Sequence, residues 1–261
     1  MTVYEQYATF YDGSGQIRFA LLMHQYLQEV LARHPVPGHK ALDLACGTGT
    51  LALTLAQDGW ELWGLDQSAA MLAIARERAS TQLSGIMPVF ERADLRQLDV
   101  LTAQAPWYAA FDLVTCTYDS LNYLLQPEEL AACLRGAAQA LRPGGLFFGD
   151  MNTRHFLEHD WGSYEVIERP GFVQVSQTSF DVERTCSSMK LTGFVGDDEH
   201  GFVRFDELHV ERAYAATDVA ALLEQAGLEL EAVYECFTFQ PVHAQTQRIA
   251  WLARRPHIRT S

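Results

Sequence analysis

Four residues in the first quarter of the chain have the types and spacing of a nucleotide-binding site. Asp43 precedes a turn that contains Gly47 and Gly49, and Asp66 follows 23 positions after Asp43. Glycines let a ligand approach the backbone closely, and an acid at the end of the next strand can accept hydrogen bonds from both hydroxyls of a ribose. The pattern therefore predicts a site for a ligand that carries a ribose.

Asp43 separates two classes of such ligands. The run Gly47 to Ala52 matches the fingerprint of dinucleotide-binding turns, but that match alone is weak. An acid on the strand just before the turn would repel a pyrophosphate and attract a cation. S-adenosylmethionine carries a sulfonium and an ammonium, so Asp43 favours this ligand over a dinucleotide.

The segment Leu42-Asp43-Leu44-Ala45-Cys46-Gly47-Thr48-Gly49 resembles the first motif of class I S-adenosylmethionine-dependent methyltransferases. Ala45 stands where glycine is commoner in that motif, and we expect little effect because alanine is small. Further segments resemble the later motifs in the same order, namely Gly64 to Ser68 with Met71, Ala93 to Leu95, Phe111 to Cys116, and Leu141 to Gly145.

The resemblance implies roles for individual residues. Asp66 would bind the ribose hydroxyls, Met71 would lie against the adenine, and Asp94 would accept a hydrogen bond from the adenine amino group. The segment Tyr7 to Asp12 also resembles the opening of many small-molecule methyltransferases, in which an aromatic side chain covers the cofactor. The predicted cofactor-binding residues are Tyr11, Asp43, Ala45, Cys46, Gly47, Gly49, Asp66, Gln67, Met71, Asp94, Leu95 and Cys116.

Short apolar strands alternate with helical stretches along most of the chain, which predicts a doubly wound, mostly parallel α/β sheet with seven strands. The resemblance implies that this sheet has the Rossmann-like methyltransferase fold. An N-terminal helix over Ile17 to Arg33 precedes it. The predicted strands lie at Ala41 to Leu44, Leu62 to Leu65, Pro88 to Arg92, Phe111 to Cys116, Leu146 to Gly149, Leu228 to Phe239 and Arg248 to Ala253.

Between the fifth and sixth of these strands the pattern becomes rich in β-structure. We divide the chain into an N-terminal helical layer with the cofactor-binding half (1–152), an antiparallel insertion (153–213), and the rest of the α/β domain (214–261). An insertion after the fifth strand would overhang the carboxyl ends of the parallel strands. We therefore predict that it forms a lid that binds the methyl acceptor.

Glu207, His209 and Glu211 point the same way if their segment is a strand. The stretch Phe205 to Tyr214 resembles the Glu-x-His-x-x-Arg-x-Tyr stretch of small-molecule N-methyltransferases, including those that act on amino sugars. A solvated sheet face explains the pattern equally well. We predict Glu207, His209 and Tyr118 as catalytic residues and leave nitrogen and oxygen acceptors both open. The segment Thr117 to Tyr123 lacks the Asn-Pro-Pro-Tyr loop of methyltransferases that act on base amines.

Composition restricts the partners. The formal charge of −14 would repel nucleic acid and anionic membranes, and Met1 to Phe10 has neither a basic nor an apolar leader region, so we expect a cytoplasmic protein with a small-molecule acceptor. Five scattered cysteines suggest reduced thiols, and the pair His155 and His159 lacks a third ligand, so we predict no metal. The sequence leaves a homodimer open. Two alternative functions are a nicotinamide-dependent oxidoreductase and a catalytically silent cofactor-binding protein.

Overall fold

The computed structural model describes Tyr4, Glu5 and residues 7–197 and 199–257. The ends of the predicted segments 1–152 and 214–261, and part of the run Met1 to Phe10, lie outside these residues. Turns of π and 3-10 type occur between the regular elements. The α-helices of the described residues are α1 (Ala8–Tyr11), α2 (Ile17–Arg33), α3 (Thr50–Gln57), α4 (Ala69–Gln82), α5 (Leu98–Gln104), α6 (Pro127–Ala140) and α7 (Ala216–Gln225).

A seven-stranded sheet forms the centre of the molecule, with the order β10-β11-β5-β4-β1-β2-β3. The neighbours from β5 to β3 pair in parallel, whereas β11 is antiparallel to both β5 and β10. Its strands are β1 (Lys40–Leu44), β2 (Glu61–Asp66), β3 (Val89–Arg92), β4 (Phe111–Cys116), β5 (Leu141–Asn152), β10 (Glu229–Glu235) and β11 (Arg248–Arg254). The predicted fold class is confirmed.

Burial on both faces explains why these strands pair in parallel. In β5, Phe147 and Phe148 are both fully buried, yet they belong to two different hydrophobic clusters, one on each face of the sheet. Helices α2 to α4 cover one face, and α6 and α7 cover the other. Parallel strands that are covered on both faces have continuous runs of apolar residues in the sequence, and these runs made the strands predictable.

A second, antiparallel sheet with the order β6-β7-β8-β9 lies between β5 and α7 in the chain. Its strands are β6 (Tyr164–Arg169), β7 (Phe172–Asp181), β8 (Cys186–Asp197) and β9 (Gly201–Arg212). The predicted antiparallel insertion is therefore present. Strand β6 was not predicted, because its residues are mostly exposed and leave no alternating apolar pattern.

No helix among residues 4, 5, 7–197 and 199–257 is long and apolar enough to cross a membrane. The rings of His155 and His159 stack with centroids 5.2 Å apart, and His155 approaches Asp160 at 3.4 Å. Within the described residues, no group of three or more His, Cys, Asp or Glu side chains is arranged to hold a metal ion.

Candidate cofactor and acceptor site

A cavity of about 570 Å³ lies where β1, β2 and β4 end, at the place where the strand order reverses between β1 and β4. Such a switch point is where open α/β sheets bind ligands, and the volume suits a small molecule. Most of the predicted site residues line it. These are Tyr11, Asp43, Ala45, Cys46, Gly47, Asp66, Gln67, Met71, Asp94, Leu95 and Tyr118.

Four predicted site residues do not line the cavity. Gly49 begins α3 with φ 78°, where a side chain would meet Ala75 and Phe90, so its role is close packing. Cys116 is fully buried in the core, with its thiol beside Cys133. Glu207 and His209 are buried behind an aromatic wall that separates them from the cavity.

Asp43 is a buried carboxyl at the floor of the cavity. Only 2% of the residue is exposed, and its Oδ1 accepts a hydrogen bond of 2.7 Å from the Thr115 hydroxyl. Burial, together with a smaller effect of the nearby Asp66 charge, raises the pKa of Asp43 to about 7 against the lowering effect of Thr115. A carboxyl in this state would be stabilised by a cationic ligand.

Asp66 holds the turn that follows β1. Its Oδ2 accepts the backbone N–H of Gly47 at 2.8 Å, and its Oδ1 accepts that of Ser68 at 2.8 Å. Burial raises the pKa of Asp66, although both N–H groups lower it. Each oxygen retains a lone pair that could accept a ligand hydroxyl.

Ala45 is a larger departure from the family motif than its size suggested. It adopts φ 55°, in the left-handed region that favours glycine. An alanine there costs about 1–2 kcal/mol relative to its usual conformations. Backbone conformation, and not side-chain volume alone, is therefore the physical reason why glycine is commoner at this position.

Asp94 is already engaged by a neighbour. Both oxygens of its carboxylate accept hydrogen bonds from the Arg96 guanidinium, at distances of 2.6 to 3.0 Å, and this contact lowers the pKa of Asp94. Any adenine amino group would have to share Asp94 with Arg96. Met71 is 2% exposed and lies on the first turn of α4, where Ser68 caps the helix.

The N-terminal segment covers the cavity and is tied down on two sides. Glu207 on β9 accepts the backbone N–H of Tyr4 and of Tyr7, each at 3.1 Å, and the Ser68 hydroxyl donates to the carbonyl of Tyr4 at 3.2 Å. Burial alone would raise the pKa of Glu207, but His209 and the two N–H groups outweigh it, so the pKa is lowered. Glu207 therefore stays ionised and anchors the cover, while its catalytic role stays a prediction.

We expect Glu207→Gln to loosen this cover. The substitution keeps the size of the side chain but removes the charge that strengthens its hydrogen bonds to Tyr4 and Tyr7. Amide hydrogen exchange over residues 8–16 should become faster by about tenfold, which is the change in rate expected when one charge-assisted hydrogen bond is lost. Asp206→Asn on the same strand is the control, because the Asp206 side chain bonds to Thr192 and Arg204 within the second sheet. Exchange unchanged in Glu207→Gln would refute the anchoring role.

Aromatic packing joins the insertion to the same N-terminal segment. Phe172, Leu191 and Phe205 of the second sheet form one buried cluster with Tyr7, and Phe10 stacks on Phe172 with a centroid distance of 5.4 Å. The insertion thus lies over the N-terminal cover, which in turn lies over the cavity. Val210 and Leu208 of β9 reach the cavity wall itself.

Backbone strain marks the loop after β4. Tyr118 and Asp119 have φ values of 62° and 53°, which are unusual for residues with side chains. Asp150 holds the loop by accepting the N–H groups of both residues, at 2.7 and 3.2 Å, while Arg248 contacts Asp150 and Asp119. The strained backbone places the ring of Tyr118 in the cavity wall, stacked on Phe19 at 4.2 Å. Strain of this kind is typical of functional loops.

His209 reaches the cavity only through another residue. Its Nδ1 lies 3.0 Å from the hydroxyl of Tyr123, and its Nε2 lies 3.3 Å from Glu207 Oε2. Tyr123 lines the cavity, and its hydroxyl also contacts that of Tyr4 at 3.0 Å. The sequence placed Tyr123 in the loop after β4 but gave no reason to select it, because its partners lie 86 and 119 residues away in the chain.

The residues present fit S-adenosylmethionine. Asp43 at the cavity floor suits the cationic methionine end of the ligand. Asp66 can accept hydrogen bonds from a ribose, and Met71 and Leu95 supply apolar surface for a base. The chain thus offers an acidic, partly apolar site. The acid at Asp43 gives a pyrophosphate no favourable contact.

Known proteins that resemble this chain include several methyltransferases. Residues 41–145 match the family model described as "Methyltransferase domain". YqeM of Bacillus subtilis (strain 168), whose methyltransferase designation is itself provisional, is 26% identical over 250 residues, which are 94% of this chain and 97% of that protein. A dTDP-3-amino-3,4,6-trideoxy-alpha-D-glucopyranose N,N-dimethyltransferase of Streptomyces venezuelae is 28% identical over 229 residues, which are 86% of this chain and 89% of that protein.

A solved structure of an S-adenosylmethionine-dependent methyltransferase from Clostridium acetobutylicum ATCC 824 is similar over the whole chain. It has a TM-score of 0.82 and 27% identity, and the alignment covers 98% of this chain and 100% of that one. Fold, motifs and relatives agree. The chain is a class I S-adenosylmethionine-dependent methyltransferase, and S-adenosylmethionine is its cofactor. The oxidoreductase and silent-binder alternatives are set aside.

Proposed function

We propose that this enzyme methylates a nitrogen or oxygen atom of a small molecule that binds in the cavity beneath the N-terminal segment. The observation that carries the proposal is the cavity at the ends of β1, β2 and β4, which combines Asp43 and Asp66 on one side with Tyr11, Tyr118 and Tyr123 on the other. The acids suit the cofactor, and the aromatic side leaves room for an acceptor that water cannot readily reach. Methyl transfer needs this alignment and exclusion of water more than any single reactive group.

Relatives indicate where to look for the acceptor. The Streptomyces venezuelae relative, matched over most of its length, is named for an amino sugar, whereas the ubiquinone biosynthesis O-methyltransferase of Sodalis glossinidius is 30% identical over 61% of this chain. We therefore rank amines first and keep hydroxyl acceptors in the test.

The test uses the wild-type protein in two measurements. Calorimetry should detect binding of S-adenosylhomocysteine, and a panel of amino-sugar nucleotides, peptide amines and catechols should yield a methylated product with at least one member. Binding without any product would contradict the small-molecule proposal, and no binding at all would contradict the assigned cavity. Size-exclusion chromatography with light scattering addresses whether the protein is a homodimer.

We also propose that the segment 153–213 acts as the lid that selects the acceptor. Its support is the chain of contacts from the second sheet through Tyr7 and Phe10 to the cavity, together with Leu208 and Val210 in the cavity wall. Lid substitutions should change acceptor preference more than cofactor affinity.

The acidic composition, with 33 acidic against 19 basic side chains, supports a partner other than nucleic acid.

Asp94→Ala should weaken binding of S-adenosylhomocysteine by about fivefold, the value of one hydrogen bond to the adenine amino group. Arg96→Ala is the matched variant, because it removes the competing partner of Asp94 and keeps the carboxylate. We expect Arg96→Ala to bind the ligand at least as tightly as wild type in calorimetry. An Asp94→Ala protein with wild-type affinity would show that Asp94 serves only Arg96 and the 3-10 turn that it caps.

A further inference from the structure

We propose that Tyr123 is a catalytic residue of this methyltransferase and that it passes the acceptor's proton to His209, with Glu207 stabilising the imidazolium that results. The inference rests on the proposed function and adds a residue that neither the motifs nor the family match assigns. Three side chains from two elements, the turn after β4 and strand β9, form the chain of contacts.

The three side chains lie in contact in sequence, and the Tyr123 hydroxyl also contacts the Tyr4 hydroxyl at 3.0 Å. The Tyr123 hydroxyl lies 3.0 Å from His209 Nδ1, and His209 Nε2 lies 3.3 Å from Glu207 Oε2. Tyr123 lines the cavity, whereas His209 is 1% exposed and Glu207 is 8% exposed. A proton that leaves the cavity along this path therefore has Tyr123 as its entrance.

Electrostatics determine the direction of transfer. The lowered pKa of Glu207 keeps its carboxylate ionised, and this charge lies 3.3 Å from Nε2 of His209. The two atoms are not aligned as a hydrogen bond, so the charge alone favours a proton on Nε2. Nδ1 is then free to accept a hydrogen bond from the Tyr123 hydroxyl. The pattern is that of an acid that orients an imidazole, which in turn activates a hydroxyl.

Tyr123 does not act as a free phenolate. Burial raises its pKa well above the usual value, and the charges of Glu211 and Asp119 raise it further. The hydroxyl can nevertheless transfer protons if it receives one while it donates another to His209 Nδ1. The relay therefore needs the imidazole as the final acceptor, and burial of Tyr123 does not oppose it.

The atoms, electrons and proton of the proposed methyl transfer are all accounted for by the cofactor, the acceptor and these side chains. S-adenosylmethionine supplies a methyl group, and the C–S bond electrons remain on sulfur as the acceptor's lone pair forms the new bond to carbon. The acceptor N–H or O–H proton moves to the Tyr123 oxygen, the Tyr123 proton moves to His209 Nδ1, and the imidazolium releases a proton to solvent after product leaves. No further reactant is required.

The first measurement needs no acceptor. Two-dimensional ¹H–¹⁵N spectra of the imidazoles, assigned with His209→Asn, should show His209 as the tautomer protonated at Nε2 in the protein with S-adenosylhomocysteine. A neutral His209 protonated at Nδ1 would overturn the relay, because Nδ1 could not then accept a proton from Tyr123. This result is independent of whether the acceptor class is right.

Kinetics with whichever panel acceptor the wild-type protein methylates supply the second measurement. We expect Tyr123→Phe to lower kcat by about a hundredfold, the usual size of a general-base contribution, while the affinity for S-adenosylhomocysteine stays within about twofold. Tyr108→Phe is the matched control, because Tyr108 is 52% exposed and does not line the cavity. Tyr123→Phe with wild-type kcat would overturn the proposal.

His209→Asn separates proton transfer from positioning. The asparagine amide oxygen can accept the Tyr123 hydrogen bond near the place of Nδ1, but it cannot take the proton. The relay predicts a loss of kcat similar to that of Tyr123→Phe, and a double variant only slightly slower than the single ones, because the residues act as a unit. If His209→Asn keeps wild-type kcat, His209 only positions Tyr123. Failure of the wild-type protein to methylate any acceptor would instead count against the proposed function.

Discussion

Asp43→Asn should remove most of the pH dependence of cofactor binding. With a pKa of about 7, Asp43 is ionised above neutrality and protonated below it, and only the ionised form attracts the ammonium of the ligand. In the wild-type protein, the affinity for S-adenosylhomocysteine should fall about tenfold for each pH unit below 7 and level off above about pH 8. Asp43→Asn should bind weakly and with a much flatter profile.

The same variant should be more stable without ligand. Because the folded-state pKa of Asp43 is raised, the folded protein holds a proton that the unfolded chain releases between about pH 4 and pH 7, and the free energy of unfolding falls as pH rises through that window. Asparagine carries no charge, so at about pH 8 Asp43→Asn should unfold at a higher temperature than wild type.

Calorimetry from about pH 5 to pH 9 and thermal unfolding at the same pH values provide the test. Asp66 also has a raised pKa and faces the same cavity, so its titration will leave some slope in Asp43→Asn. An Asp43→Asn protein whose affinity keeps the full wild-type slope would show that another group controls binding.

Asp66→Ala should lower the affinity for S-adenosylhomocysteine by at least about tenfold, since a hydrogen bond to a charged group contributes about 1.5–3 kcal/mol. The structure adds a second reason, because the carboxylate also fixes the turn through the N–H groups of Gly47 and Ser68. Loss of the side chain would leave both N–H groups without this acceptor. We therefore expect a lower unfolding temperature as well.

Two variants make the Asp66 result specific. Asp66→Asn keeps one acceptor oxygen and should bind the ligand with intermediate affinity. Asp99→Ala removes an acid that pairs with Arg135 outside the cavity, and it should leave affinity unchanged. If Asp66→Ala bound the ligand as tightly as Asp99→Ala, the ribose assignment would be wrong.

The sequence by itself determined the cofactor side of the site. Asp43 and Asp66 each lie at or near the end of a parallel strand, and all such ends meet at one edge of the sheet. Spacing along the chain therefore predicts proximity in space. The resemblance to the methyltransferase motifs selected Met71, Asp94 and Leu95, which follow the second and third strands and line the cavity.

Only the tertiary structure showed what Glu207, His209 and Tyr123 contact. The strand period correctly placed Glu207 and His209 on one face, but it could not show that the N-terminal segment occupies that face. The contacts that define their roles span 200 residues from Tyr7 to Glu207 and 86 from Tyr123 to His209. Such pairings arise from how the insertion packs on the sheet, and no local pattern of residue types encodes them, so Glu207 becomes an anchor and Tyr123 the residue at the cavity.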